Sequence, residues 1–322
     1  MNKAKTALSK LPGILYGLIA ICVVFSFTAD GFFSLYNFLN LGKDCCLLII
    51  VSLGMSLCIL SGYIDMSQGG LMSLAGVVTA LCLKSGVNVL AAILAGLVTG
   101  IVSGAITGAL IAYVKFDFWV VTYAMMGICD GLALSFSNGN TIPGFKTDFR
   151  FIGDGKIAGI YFMIWVTVLI CLLMCYLSFK TKFGYNIYSI GGSYQSAELA
   201  GINVKKNLFF VFVISGLLAA VSGVMLASKS NSASPIGGSV YVFDAIAAVL
   251  IGGTGFEGGK GRITGTIIGA ILMRVIRNGL NLAGLSPYLQ TFLMGLIVLL
   301  IILVDVLNQN HKKTMSLRRV YR

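Results

Sequence analysis

The sequence predicts an all-α polytopic membrane protein of about ten transmembrane helices, some of them broken or short. Three observations predict it. Of 322 residues, 57% are hydrophobic and 11% charged, with a mean hydropathy of +0.95; a soluble domain carries about 25% charged residues. The apolar runs are long and continuous, where a barrel would give short alternating strands. Glycine (40) greatly outnumbers proline (4), which suits helices packed backbone to backbone through small residues.

The apolar segments run at about 12–29, 45–62, 67–83, 88–113, 118–137, 159–179, 207–228, 240–252, 263–283 and 288–306. Segments 67–83 and 240–252 fall short of the roughly 20 residues of a full crossing and read as partial or tilted. The first segment exceeds a signal core of about 7–15 residues and reads as a retained span.

The net charge of +12 is assigned to the positive-inside bias and not to nucleic-acid binding. Lys3, Lys5 and Lys10 precede the first segment; His311, Lys312, Lys313, Arg318, Arg319 and Arg322 follow the last. Both termini are therefore expected in the cytoplasm. Parity then puts the 180–206 loop and the Lys260–Arg262 loop inside, and the 138–158 loop outside. Eight cysteines lie in or beside apolar runs without metal-ligand spacing and read as small hydrophobes. The sole histidine, His311, is in the tail. No metal, cofactor or catalytic group is expected.

The chain reads as one transmembrane domain over 1–322. Within it, 45–137 and 207–306 resemble each other as two four-helix units, one entering from outside and the other from inside. Such inverted repeats place a transport path at their interface.

The most informative stretch is Ser61-Gly62-Tyr63-Ile64-Asp65-Met66-Ser67-Gln68-Gly69-Gly70, polar and glycine-rich between two apolar runs. A charge near hydrocarbon costs about 2.5–3.5 kcal/mol on insertion scales. Irregular backbone at that depth survives only inside protein or along a cavity. Gly62, Asp65 and Ser67 are read as a gate, with Asp65 accepting hydrogen bonds from free amides of the segment beginning near Ser67. The plain alternative is a surface loop.

The glycine-rich loop from Gly252 to Arg262 lacks the Gly-Lys-Ser/Thr order of a phosphate loop. It reads as a tight connection between packed helices, so ATP-driven work requires another subunit. In the 180–206 loop, Ser193 can cap a short helix and Gly201 can end it. Ser193, Gln195, Ala197, Glu198, Leu199 and Gly201 are candidates for docking on a partner. Asp244 is expected to favour its own helix N-terminus. Arg274 and Arg277 either snorkel or pair with Asp244 or an anionic substrate. Asn278, Asn281, Asn138 and Trp119 are placed near a solute path. Asp65 and Asp244 are the only carboxylates read as intramembrane, which disfavours an ion-coupled transporter.

Four places together resemble one family. They are Ser61 to Ser67; Tyr188-Ser189-Ile190-Gly191-Gly192-Ser193 with Ala200-Gly201-Ile202; Asp244-Ala245-Ile246-Ala247-Ala248-Val249-Leu250-Ile251-Gly252-Gly253-Thr254; and Asn278-Gly279-Leu280-Asn281-Leu282 with Ser286-Pro287-Tyr288. The chain resembles the inner-membrane permease subunits of ribose-type ABC importers for monosaccharides. The resemblance implies a cytoplasmic ABC ATPase, an extracytoplasmic solute-binding protein, and a homodimer or pairing with a related permease subunit within membrane lipid. It also implies that the helix around Ser193–Gly201 docks on the ATPase, and that the chain itself is no enzyme. A nucleoside or furanose-like signal molecule is the alternative cargo. The chain departs from the family at Gly62-Tyr63-Ile64-Asp65-Met66-Ser67-Gln68-Gly69, at Phe116-Asp117-Phe118-Trp119, and at Arg274 and Arg277, where small or amide residues are usual.

Overall fold

A computed structural model describes residues 13–300 together with 302 and 303. The charged tails that underlie the expected placement of both termini lie outside the described residues. The helices are α1 (Gly13–Thr28), α2 (Leu35–Leu60), α3 (Gln68–Lys84), α4 (Val89–Ala112), α5 (Phe118–Ser137), α6 (Thr147–Asp154), α7 (Phe162–Lys180), α8 (Lys182–Gly192), α9 (Tyr194–Leu199), α10 (Val204–Ser230), α11 (Tyr241–Ile251), α12 (Ile263–Leu282) and α13 (Pro287–Leu300). Among the described residues, α2, α4, α5, α7, α10 and α12 are long and apolar enough to cross a membrane; α1, α3, α11 and α13 are shorter apolar helices. The chain is a multi-pass, mostly helical membrane protein, as its composition predicts.

Polar side chains set several helix starts by accepting hydrogen bonds from first-turn amides. Ser34 accepts from Asn37 N, Asn88 from Ala91 N and Asp117 from Trp119 N. Asn138 (φ +50°) and Asn231 (φ +49°) end α5 and α10 in the left-handed region, where a short polar side chain is tolerated.

Helix α2 is the hub: its most apolar window is 94% buried, against 22% for α4 and for α7. The outward residues of α4, such as Leu90, Leu94, Val98 and Ile101, form a face fit for hydrocarbon. Its inward face is glycine. Gly96, Gly100, Gly104 and Gly108 recur every four residues and lie on one side of the helix. A Cβ on Gly100 would sit 2.5 Å from both Ala220 Cβ and Gly216 O, and one on Gly104 2.5 Å from Phe212 O. The α4 and α10 backbones therefore touch, as small residues permit in membranes. Buried hydroxyls tie the layers further: Ser222 Oγ donates to Leu47 O at 3.0 Å, and Thr266 Oγ1 to Ser56 Oγ at 3.2 Å.

Two segments read as loops contain helices. The 180–206 connection holds α8 as well as the expected short helix, and the 138–158 connection holds α6. Gly153 of α6 sits against Lys229 backbone, while Ser228 Oγ accepts from Gly153 N at 2.9 Å and donates to Phe149 O at 2.7 Å. Tertiary contacts of this sort leave no local signal in the sequence. The two-residue strands β1 (Ile142–Pro143), β2 (Lys156–Ile157), β3 (Ile160–Tyr161) and β4 (Ser232–Ala233) form two short antiparallel pairs, β1 with β4 and β2 with β3, at the same end as α6.

Candidate functional site

The bundle has two chemically distinct ends, and each carries a polar cluster. At the α8–α9 end, Leu60 closes α2 and the chain turns through Gly62 (φ +86°) before α3 begins. Asp65 is 1% exposed, which excludes the surface-loop reading. Its Oδ1 accepts from Ser67 N at 3.0 Å and Ser67 Oγ at 2.5 Å. Its Oδ2 accepts from Ser215 Oγ at 2.6 Å, and Ser215 Oγ in turn accepts from Gln68 Nε2 at 2.8 Å. The expected amide contact is present. Ser215 and Gln68 extend it into a network that fastens the break to α10. Sequence reading missed both partners, because a lone serine in an apolar helix has no motif.

The same end is sealed by backbone contacts. Gly259 N donates to Leu60 O at 2.9 Å, and Tyr188 Oη to Gly261 O at 3.1 Å. A Cβ on Gly258 would lie 2.7 Å from Gly62 N, and one on Gly259 2.6 Å from Gly192 N. The glycine-rich loop is thus a tight connection wedged between the α2–α3 break and α8, as read from the sequence. Beside it lies a cavity of about 490 Å³ lined by Gly62, Tyr63, Lys115, Asp117, Gly191 and Tyr194 among others. Trp119 stacks on Phe118, whose ring meets Tyr63 edge-on, so it sits near this cavity, half-exposed. Asn138, at the far end of α5, is exposed and joins neither cluster.

Helix α9 projects from this end. Ser193 Oγ accepts from Ser196 N at 3.3 Å. Gly201 (φ +80°) donates to Glu198 O and Ile202 N to Ala197 O, the paired bonds of a Schellman ending. Ala197 is buried against Ala112, Ile190, Val204 and Leu208 and anchors the helix. Ser193, Gln195 and Glu198 are exposed, and Leu199 is 90% exposed.

At the opposite end, Asp244 takes the arginine-pairing role and not the helix N-terminus role, the two readings its sequence context offers. It lies in the first turn of α11 but caps nothing: Val240 is the N-cap residue and no side chain caps there. The carboxylate instead takes a two-pronged grip from Arg277, Nε to Oδ2 at 3.1 Å and Nη2 to Oδ1 at 2.8 Å. A buried guanidinium offers more than weakly charged helix amides. Arg274 Nη2 is 3.9 Å from Asp244 Oδ2, and its guanidinium lies 4.3 Å from the Tyr241 ring centroid. Lys229 pairs with Asp44 nearby. Asn278 and Asn37 exchange amide hydrogen bonds at 2.8 and 3.0 Å. Asp44, Arg274, Arg277, Asn278, Asn281 and Gln290 line a cavity of about 240 Å³. The structure therefore brings Asp244, Arg274, Asn278 and Asn281 together, and Gly62, Asp65 and Ser67 together elsewhere.

Asp130 is a further carboxylate beyond Asp65 and Asp244 within an apolar helix: it lies in α5, half-buried, with Oδ1 buried and without a hydrogen-bond partner among the described residues. One acid in a 20-residue helix barely lowers its hydropathy, so the segment average conceals it.

Removing Asp244 leaves buried Arg274 and part-buried Arg277 without their shared counter-charge, and losing one partner of a buried pair costs about 3–5 kcal/mol. Asp244→Asn should lower the thermal midpoint of the purified protein. Adding Arg277→Gln should recover part of that loss. An unchanged midpoint in the single variant would show the pair to be unimportant to the fold.

Buried charged and polar clusters at both ends of a helical membrane bundle are the pattern expected of a membrane transport subunit. The chain belongs to the family described as branched-chain amino acid transport system / permease component, which matches residues 37–302. It is 36% identical over 295 residues to the ribose import permease protein RbsC of Escherichia coli K12, covering 90% of this chain and 92% of that one. Identity to the Bacillus subtilis protein of the same description is 38% over 295 residues, covering 91% and 92%. The D-allose transport system permease protein AlsC of E. coli K12 is 32% identical over 295 residues, covering 91% and 90%. A solved structure described as an inward-facing conformation of a metal-chelate type ABC transporter shares the fold, with TM-score 0.55 at 13% identity, covering 92% of this chain and all of that one. The chain is a permease subunit and not an enzyme.

Proposed function

We propose that this chain is the permease subunit of an ATP-driven importer that moves a ribose-like monosaccharide across the cytoplasmic membrane by alternating access. The relatives' ribose and allose transport supports the cargo class. The α8–α9 end faces the cytoplasm, which agrees with Lys180, Lys182, Lys205 and Lys206 around it. An extracytoplasmic binding protein delivers solute to the opposite end, and a second permease subunit, identical or related, completes the path. Gly62, Asp65 and Ser67 order the inner gate, with Trp119 beside it. Asp244, Arg274, Asn278 and Asn281 form the outer polar cluster, and Asn138 lies at the outer rim.

The observation that carries this reading is α9. A helix of six residues, capped at both ends and pinned by Ala197, holds Leu199 almost wholly in the open. Such an apolar knob suits a groove on a cytoplasmic ATPase. Ser193 and Gly201 hold it in shape, while Gln195, Glu198 and Leu199 make the contact. Glu198→Lys with Leu199→Asp should abolish solute-stimulated ATP hydrolysis by the assembled transporter. The permease should still fold, since surface substitutions usually shift stability by only about 0.5 kcal/mol. Normal stimulation in an intact assembly would remove α9 from the coupling path.

A further inference from the structure

Asp130 is a carboxylate inside a crossing helix that the fold itself leaves unanswered: among the described residues no hydrogen bond and no ion pair reaches it. It stands about 18 Å along α5 from Phe118, at 1.5 Å per residue, near the middle of the helix. Gly70, in the first turn of α3, makes room for it. A Cβ there would lie 2.9 Å from Asp130 Oδ1 and 2.7 Å from Met126 O, so glycine is what lets α5 come this close. Oδ1 is buried against that turn, while the half-buried side chain keeps Oδ2 open on the outer side of α5. Helix α3 begins at the break that Asp65 and Ser67 order, so Asp130 adjoins the gate.

The surface around Oδ2 differs from a lipid-facing one. Helices α4 and α7 turn residues such as Leu94, Val98, Val168 and Leu172 outward. On α5, Trp119, Tyr123, Gly127 and Asp130 follow at spacings of four, four and three, so they share one side. Trp119 and Tyr123 are exposed, and Val120 and Leu134 bound the face at its two ends. A Cβ on Gly127, or on neighbouring Gly131, would meet nothing within 4 Å. The result is a shallow groove with two aromatic rings toward the α8–α9 end and an open carboxylate midway. Acids at this depth are costly against hydrocarbon and face a bundle interior or a water-filled cavity. An aromatic face suits the C–H side of a sugar ring, and a carboxylate oxygen accepts from hydroxyls.

We propose that this side of α5 lines the solute path and that Asp130 is a specificity-determining residue in it, its Oδ2 accepting hydrogen bonds from hydroxyls of a neutral monosaccharide on the way to the inner gate. This rests on the monosaccharide-permease reading above and adds to it a residue within the membrane that recognises the cargo.

The test uses the assembled importer in right-side-out vesicles with internal ATP, and labelled D-ribose and D-allose as probes. Asp130→Asn should slow sugar uptake per transporter at least about tenfold, the worth of one charge-assisted hydrogen bond. It should not lower the thermal midpoint of the purified permease, because no group in the described fold depends on this carboxylate. Asp130→Glu, which keeps both acceptor oxygens, should retain more uptake than Asp130→Asn. In the Gly131→Cys variant of the importer in lipid nanodiscs, a water-soluble thiosulfonate should modify position 131, read by peptide mass spectrometry. Position 98 in Val98→Cys, on the outward side of α4, should stay unmodified. A smaller loss of uptake, a lowered midpoint in Asp130→Asn, or an unreactive position 131 would each overturn the proposal. ATP-dependent sugar uptake that is indifferent to Asp130→Asn would leave the permease reading standing while this inference falls. No uptake of either sugar by the wild type would overturn the cargo reading and this inference with it.

Discussion

Asp65→Leu should abolish transport and sharply reduce the yield of folded permease. Three donors converge on the Asp65 carboxylate: Ser67 N–H, Ser67 O–H and Ser215 O–H. A leucine accepts from none of them, and each buried unsatisfied group costs about 1–3 kcal/mol. The loss also unties α10 from the α2–α3 break, because Ser215 is the shared member. Asp65→Asn should behave differently. Its carbonyl oxygen can still accept from Ser67, but its amide must donate toward Ser215 Oγ, which already accepts from Gln68. Partial transport and an intermediate thermal midpoint are expected. Wild-type uptake and midpoint in Asp65→Leu would mean that the network does not hold the gate.

The second large effect is expected at the α4–α10 seam. Gly216→Val places a branched side chain where the Gly100 carbonyl and the Gly104 backbone already stand. Overpacking usually costs about 1–3 kcal/mol when side chains can move aside. Here the obstacles are main chain on a helix, so the two long helices must part. No stable protein should survive detergent extraction, as read by size-exclusion profile. Gly127→Val, on α5 where nothing lies within 4 Å, is the matched control and should extract normally as a single subunit. A monodisperse Gly216→Val protein would contradict the close-packed seam.

The helical class was legible because apolar length is a property of composition, which needs no partner. The break at Ser61–Gly70 was legible for the same reason: polar residues interrupt an apolar run. So were the caps of α9, since Ser193 and Gly201 act on neighbours in sequence. What escaped was long-range. Ser215 lies 150 residues from Asp65. For Asp244 the sequence leaves two roles open, favouring its own helix N-terminus or pairing with Arg274 or Arg277, and the fold selects the pairing. Helices α6 and α8 escaped because their apolar sides are short and are completed by α10 and α2. Asp130 escaped because hydropathy averages over a segment.

The central claim is that this permease works only when driven through α9 by a partner that hydrolyses ATP. The most direct measurement is uptake of labelled monosaccharide into right-side-out membrane vesicles, with and without internal ATP, for the wild type and for Glu198→Lys with Leu199→Asp. Uptake should require ATP in the wild type and fall to background in the variant, although both are present in the membrane in equal amount. Uptake that proceeds without ATP, or that the variant sustains, would contradict it.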